Sequence, residues 1–153
     1  MLGLGLGSEF RASAFMIHPL VEYSAVIADM AEKIRLDSEA RPNINRFGLL
    51  LVDGLSMAEE RLVANLYQQI GNVPIIGGSA GDDLRFEQSF IYDGNGKFVS
   101  DAAVFAVIET HSPLATFKIQ HFVPSDVELV ITEADPEKRI IFEINGEPAA
   151  QVY

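Results

Sequence analysis

Residues 47–83, FGLLLVDGLSMAEERLVANLYQQIGNVPIIGGSAGDD, decide the fold of this chain. They begin with a continuous apolar run, Phe47–Val52, which suits a strand covered on both faces. Ser56 followed by Glu59 is the pattern of a helix start in which two residues cap the backbone reciprocally, and a Gly-Asn pair ends the helical pattern. A second short apolar run, Val73–Ile76, comes next. Strand, helix and strand at this spacing predict a compact β-α-β unit with a parallel pair of strands.

The sequence on either side of this unit supplies another helix and a series of strands. Apolar residues recur at helical spacing from Pro19 to Arg35, and a strand is predicted before them at Ala12–Ile17. After residue 83 the pattern becomes that of strands separated by turns, among them the hairpin signal Asp93–Gly96. The predicted strands are Phe86–Tyr92, Lys97–Glu109, Thr116–Val123, Glu128–Thr132 and Arg139–Ile144.

These elements predict an α/β fold. Its mixed sheet contains the β-α-β unit followed by an antiparallel meander, and the helices pack on the sheet. The sequence shows no repeat and no long linker, so residues 1–153 are predicted to form a single domain. The final residues, Glu147–Tyr153, have the pattern of a helix that has only begun, and we expect the chain to be a partial domain.

The composition excludes several classes of function. The chain has 22 acidic and 11 basic residues and a net charge of −11, which would repel a polyanion, so a nucleic-acid partner is not expected. It has no cysteine, which excludes disulfides, thiol nucleophiles and thiolate metal ligands. No apolar run approaches the roughly 20 residues that span a bilayer, and the N-terminus lacks the basic region of a signal peptide. We therefore expect a cytoplasmic protein without membrane insertion.

The glycine-rich stretch Gly77–Asp83 is the strongest candidate site. It contains the Gly-x-Ser-x-Gly pattern of serine hydrolases around Ser79, which requires a sharp turn from strand to helix. No helical pattern follows here, and two adjacent aspartates would oppose an oxyanion, so the hydrolase is kept as an alternative. The aspartates suit an ammonium group or another cationic end of a ligand. The predicted ligand-binding residues are Gly77, Gly78, Ser79, Gly81, Asp82 and Asp83.

The three histidines do not form a metal-binding pattern. His18 and His111 lie in predicted connections and are interpreted as surface residues, whereas His121 lies in a predicted apolar strand. A strand histidine is most often a hydrogen-bonded structural residue, and a lone histidine cannot hold zinc. One histidine is sufficient as the axial ligand of haem, because the porphyrin supplies four of the iron's donors.

Five motifs together resemble a known family. They occur in family order at Phe47–Ser56, Val73–Asp82, Gln120–Pro124, Thr132–Asp135 and Glu143–Ala150, and they resemble the FIST domain. The stretch before Phe47 fits the family more loosely. Relative to the family, we expect the chain to lack a leading β-α-β segment and a C-terminal partner domain.

The resemblance implies a non-catalytic sensory domain of bacterial signalling proteins. Such a domain binds a small ligand in the cytoplasm and passes a signal to a histidine kinase, a diguanylate cyclase or a chemotaxis receptor. One branch of the family resembles haem-based nitric-oxide sensors, and for that branch His121 is the residue to carry over as the axial ligand. The candidate ligands are therefore amino acids or haem with nitric oxide. A serine hydrolase using Ser79 and an interaction module without a ligand remain the alternatives.

Overall fold

The computed structural model describes residues 9–119 and 122–153, which form two compact units that divide at Thr116. The first unit contains, in chain order, β1 (Phe10–Ile17), a 3-10 turn (Leu20–Glu22), α1 (Tyr23–Ala40), β2 (Asn45–Asp53), α2 (Glu59–Ile70), β3 (Ile75–Ala80), β4 (Ile91–Tyr92), β5 (Phe98–Val99) and β6 (Ala103–Thr110). The second unit contains β7 (Ile131–Asp135), β8 (Ile140–Ile144), β9 (Glu147–Pro148) and the short helix α3 (Ala149–Val152).

Four strands of the first unit form a mixed sheet in the order β1-β6-β2-β3. β2 and β3 are parallel, and β6 lies between β1 and β2 and is antiparallel to both. β2, α2 and β3 are thus the predicted β-α-β unit with its parallel pair, and this prediction is confirmed. The mixed α/β fold with helices packed on the sheet is confirmed as well.

The core lies between one face of this sheet and the two long helices. Leu50, Val52 and Phe105 point to that face and pack against buried residues of α1 and α2 such as Ile27 and Leu66. The opposite face carries Leu49 and Leu51 on β2, Val104 and Ala106 on β6 and Ile76 on β3. Leu51 and Ile76 are 41% and 42% exposed. One face of the sheet therefore forms the core, and the other offers apolar residues around the site described below.

A buried carboxylate holds the amino-terminal end of β2 to its neighbours. Glu109 on β6 has a side chain that is only 7% exposed and accepts contacts from Arg41 at 2.6 Å and Arg46 at 2.8 Å. Arg11 on β1 lies farther away, at 3.9 Å. Buried charges are tolerated when they are paired in this way. The cluster fastens β1, β6, β2 and the end of α1 to one another.

The predicted capping box at the start of α2 is wrong. The hydroxyl of Ser56 donates to the carbonyl of Asp53 at 2.6 Å and accepts from the N–H of Ala58 at 3.3 Å, and it does not cap the helix. The carboxylate of Glu59 instead accepts a hydrogen bond from Ser79. A tertiary partner on β3 therefore replaces the local partner that the sequence pattern suggested.

The strands after β3 are shorter than predicted. Phe86–Tyr92 reduces to β4 because Phe86 has a left-handed backbone with φ of 56°, which a strand excludes. Asp101, with φ of 51°, divides the predicted strand Lys97–Glu109 into β5 and β6. The hairpin between β4 and β5 is confirmed, since the carboxylate of Asp93 accepts the N–H groups of Asn95 and Lys97 in the turn.

The second unit is an antiparallel meander of β7, β8 and β9, as predicted for the end of the chain. The predicted strand Thr116–Val123 was wrong for its described residues, 116–119 and 122–123, which form no strand. Phe117 and Ile119 in this segment are 83% and 77% exposed. The alternation of apolar residues on which the strand prediction rested is therefore not matched by burial of these two side chains. The strand predicted at Glu128–Thr132 begins instead at Ile131.

Candidate functional site

The predicted glycine loop is divided between a strand and a true loop. Gly77, Gly78 and Ser79 lie within β3, where Gly77 pairs with Leu50 of β2 and Ser79 with Val52. The prediction that these residues form a loop is therefore wrong, because β2 supplies a continuous ladder partner that overrides the low strand preference of glycine. Gly81, Asp82 and Asp83 follow β3 in a loop, as predicted.

The two central glycines of β3 have different roles. A side chain on Gly77 would place its Cβ 1.9 Å from the carbonyl oxygen of Leu50, so only glycine lets β3 approach β2 this closely. A Cβ on Gly78 would meet no atom within 4 Å. Gly77 is therefore required by the sheet, whereas Gly78 leaves open space above the sheet.

Asp53, the last residue of β2, organises the surroundings of this open space. Its side chain is buried and accepts the N–H of Leu55 at 3.0 Å, the N–H of Asp101 at 2.7 Å and the hydroxyl of Ser89. One carboxylate thus holds both the segment before β4 and the segment before β6. The sequence prediction missed this residue, although an acid directly after a buried strand was a visible signal.

A groove of about 900 Å³ lies on the sheet face opposite the helices, and we call it the aromatic groove. Its floor is formed by Gly78 and by Leu51 and Val104 of the neighbouring strands. One wall is formed by Phe90 and the β4–β5 hairpin, where the ring centroids of Tyr92 and Phe98 lie 5.3 Å apart. The remaining lining residues are Ser79, Ala80, Gly81 and Ile91. Ligand sites of this size and apolar character occur at the carboxyl ends of parallel strands.

A second concavity of about 520 Å³ shares Gly81, Phe90 and Phe98 with the aromatic groove, and we call it the polar groove. It contains the exposed side chains of Asp83 and Arg85. Within the described part of the chain, neither of these two side chains has a hydrogen bond or an ion pair, so a carboxylate and a guanidinium are both available to a ligand.

Asp82 has a structural role in the polar groove. Its carboxylate accepts the N–H groups of Glu87 at 2.6 Å, Gln88 at 3.1 Å and Phe86 at 3.0 Å. The bonds from Glu87 and Gln88 lower the pKa of Asp82 most. Asp82 therefore shapes the loop that presents Asp83 and Arg85, and Asp83 is the aspartate that remains open to a ligand.

Ser79 does not lie on a nucleophile elbow. It is inside β3, its hydroxyl donates to Glu59 at 2.8 Å, and residues 81–90 contain turns but no helix. No histidine is among the described residues that line the concavities around Ser79. The arrangement that a serine hydrolase requires is therefore not present in the described residues.

The haem ligand predicted at His121 lies outside the described residues. Among the described residues that line the aromatic groove, Tyr92 alone has a side chain that ligates haem iron in proteins. The described lining residues include no imidazole or thioether, so they do not fit haem well. The described residues also contain no group of three histidine, aspartate or glutamate side chains that could hold a metal ion.

A mixed sheet with an apolar, ligand-sized groove at the ends of its parallel strands defines a small-ligand-binding α/β domain. The family model described as FIST N domain matches residues 2–147, and the chain belongs to this family. FIST domains are small-ligand-binding sensory domains of signalling proteins. The match confirms the resemblance inferred from the five motifs, and it also includes the stretch before Phe47 that fitted more loosely.

The chain is also similar to an uncharacterized protein of the archaeon Methanocaldococcus jannaschii. The two are 30% identical over 128 residues, which cover 83% of this chain and 23% of that protein. The chain thus spans less than a quarter of the length of this relative. No solved structure matches the chain. Within the described residues, no helix is both long and apolar enough to cross a membrane.

Proposed function

We propose that this FIST domain binds a free amino acid with an apolar or aromatic side chain. The observation that carries this proposal is the pair of adjoining concavities, one apolar and one carrying both signs of charge. The side chain of the ligand enters the aromatic groove, and its charged head lies in the polar groove.

The polar groove has a partner for each charge of an amino acid. Arg85 presents a planar fork of donors that suits a carboxylate, and Asp83 accepts hydrogen bonds from an ammonium group. Both side chains are exposed and neither forms an ion pair within the described residues, so binding does not first require an internal ion pair to break.

The aromatic groove supplies the apolar contact. Phe90, Tyr92 and Phe98 are 45%, 50% and 64% exposed, although such side chains are usually well covered. A ligand that covers them gains about 25 cal/mol for each Å² of apolar surface removed from water. The rings therefore favour a ligand with a sizeable apolar side chain.

We further propose that occupancy of the groove is the signal, which passes in the cytoplasm to a histidine kinase, a diguanylate cyclase or a chemotaxis receptor. The domain itself performs no reaction in this proposal. Haem is the competing ligand, with His121 as its axial residue, and it is included in the test for that reason.

The proposal is tested by thermal unfolding against the 20 amino acids and haemin. A ligand at 100 times its Kd stabilises the folded protein by about 2.7 kcal/mol. For a chain of this size that raises the Tm by roughly 5–10 °C. Apolar or aromatic amino acids are expected to raise the Tm, and Gly78→Leu, which fills the groove, is expected to abolish the shift.

Ala12→Leu is the matched control, because it adds the same side chain to the same sheet face on β1, three strands from Gly78. Asp83→Asn removes the charge while keeping a residue that tolerates the left-handed backbone at this position, where φ is 59°. An amino acid that shifts the Tm of both Gly78→Leu and Asp83→Asn as strongly as that of the native protein would refute the site.

A sharp Soret band with haemin that His121→Ala abolishes, without any shift of the Tm by an amino acid, would establish haem as the ligand instead.

A further inference from the structure

The outer edge of β3 is open. β3 is an end strand of the four-stranded sheet, and within residues 9–119 and 122–153 no strand pairs with its outer side. The carbonyls of Pro74 and Ala80 accept N–H groups of β2 and its following turn. Because the direction of these groups alternates along a strand, the N–H and C=O groups of Ile75, Gly77 and Ser79 point away from β2.

This edge lacks the features by which proteins protect an end strand. β3 contains no proline, lysine or other charged residue, and its register with β2 runs without a bulge from Gly48–Ile75 to Asp53–Ala80. Unprotected edges of this kind are templates for pairing with another strand.

Concavities lie on both faces of the sheet beside the open edge. On the helix side, a concavity of about 290 Å³ is lined by β2, β3 and α2, and we call it the edge groove. Its α2 wall includes Val63 and Tyr67, which are 38% and 58% exposed. The aromatic groove lies on the other face, and both concavities include Gly78 and Ser79.

A strand added to β3 would therefore have a cavity for every central side chain. Successive side chains of a strand point to opposite faces of the sheet, so alternate residues would enter the edge groove and the aromatic groove. Peptide recognition at sheet edges combines these two elements, with affinity from the backbone and specificity from the alternating pockets.

The charges near the carboxyl end of β3 favour a basic partner. Glu59 and Glu60 open α2 beside Ser79, and Asp82 and Asp83 follow β3. The cations in these same segments are Arg61 and Arg85, and the whole chain has a net charge of −11. An incoming segment with lysine or arginine at its flanks complements this end, whereas a second copy of the acidic chain does not.

We propose that the edge of β3 binds an extended segment of a partner protein that has apolar central residues and basic flanks. This interaction goes beyond ligand binding. Because alternate side chains of the segment enter the aromatic groove, the segment competes with any ligand that fills this groove. The interaction gives the sensory domain a physical contact through which another protein is engaged.

The test uses the fluorescein-labelled peptide Lys-Lys-Val-Phe-Val-Phe-Val-Lys-Lys and fluorescence anisotropy with the native protein. We expect saturable binding, together with at least tenfold slower hydrogen exchange at the amides of Gly77 and Ser79. The amides of Gly78 and Ala80 already face β2 and are expected to change little. This alternation along β3 is specific to strand addition.

Two N-methylated peptides provide a test that leaves the protein unchanged. One is N-methylated at its valines and the other at its phenylalanines, so that only one of the two loses the N–H groups that face β3. We expect the peptide that loses the N–H groups facing β3 to bind at least tenfold more weakly than the unmethylated peptide. The peptide that keeps these N–H groups is expected to bind within about threefold of the unmethylated peptide. Equal binding of the two would overturn the proposal, since the contact would not run through the backbone edge.

A protein variant and a charge swap complete the design. Ser79→Pro removes one outward N–H and is expected to weaken binding about tenfold, whereas Ser79→Ala keeps the N–H and is the matched control. The same peptide with glutamate in place of lysine is expected to lose binding, and undiminished binding would contradict the basic flank. A dimer that Ser79→Pro dissociates, with no peptide binding to the native protein, would show that a second copy occupies the edge.

Discussion

The contrast between Gly77 and Gly78 gives the sharpest test of the structure, because two adjacent glycines are expected to respond to alanine with opposite signs. A Cβ on Gly77 would overlap the carbonyl oxygen of Leu50, which it would approach to 1.9 Å, and Cβ contacts are essentially never closer than 3.0 Å. β3 would have to move by about 1 Å relative to β2 to relieve this overlap.

The expected loss of stability follows from that movement. Overpacking of this kind costs about 1–3 kcal/mol, and weakening a ladder hydrogen bond on either side costs about 1 kcal/mol each. Replacing glycine by alanine also restricts the unfolded chain, which offsets about 0.4–1 kcal/mol. Gly77→Ala is therefore expected to lower the free energy of unfolding by roughly 2–5 kcal/mol, whereas Gly78→Ala, whose Cβ meets no atom, is expected to raise it by about 0.4–1 kcal/mol.

Urea unfolding followed by circular dichroism measures both variants, and equal slopes of the transitions show that the unfolded states are comparable. Gly77→Ala with stability equal to that of Gly78→Ala would refute the close approach of β3 to β2. It would also remove the register on which the positions of both grooves depend.

Three further predictions concern buried or shielded carboxylates. Glu109→Gln leaves the guanidinium of Arg46 without a charged partner and that of Arg41 with Asp37 alone, and it is expected to lower the free energy of unfolding by about 3 kcal/mol in a urea titration. The pKa of Asp82 is lowered in the folded protein, so the stabilisation by its hydrogen bonds is complete above the ordinary aspartate pKa of 3.8 and is lost as the pH falls through the lowered pKa. The NMR chemical shift of the Glu87 amide is expected to titrate in that pH range in the native protein and not in Asp82→Asn. Asp53→Asn is expected to cost about 2–3 kcal/mol in thermal unfolding and also to weaken ligand binding, and unchanged affinity would contradict its proposed influence on the groove.

The sequence was sufficient to predict the elements whose signals are local and repeated. The apolar run of β2, the helical stripe of α2 and the spacing between them predicted the parallel pair that positions the site. The hairpin between β4 and β5 was predictable because Asp93 and two glycines specify its turn. These elements depend on residues that are neighbours in the chain.

The misplaced elements depend on hydrogen bonds of polar side chains. Ser56 and Glu59 have the pattern of a capping box, but Ser79, 20 residues after Glu59, supplies the bond that Glu59 accepts. The strand predicted to begin at Phe86 begins only at Ile91, because the carboxylate of Asp82 draws the following backbone N–H groups into a turn. The periodicity of apolar residues does not record such hydrogen bonds, whether their partners are near or distant in the chain.

The candidate site was predicted in part for the same reason. Gly78, Asp83 and the neighbouring loop residues border the grooves, whereas Arg85 and the aromatic residues were not singled out. The aromatics Phe90, Tyr92 and Phe98 flank the predicted hairpin turn, which was the available signal for them. Their convergence with Gly78 requires the hairpin to lie over the sheet, and no local pattern specifies that placement.

Asp53 explains how the groove is held in shape although this residue does not line it. Ser89, which bonds to its carboxylate, precedes Phe90, and Asp101, which bonds to the other oxygen, follows the strand that carries Phe98. Two aromatic walls are therefore attached to one buried group at the end of β2. If the proposed ligand moved either wall, it would act on the same carboxylate and through it on β2. Asp53→Asn therefore tests this attachment of the two walls as well as the stability of the sheet.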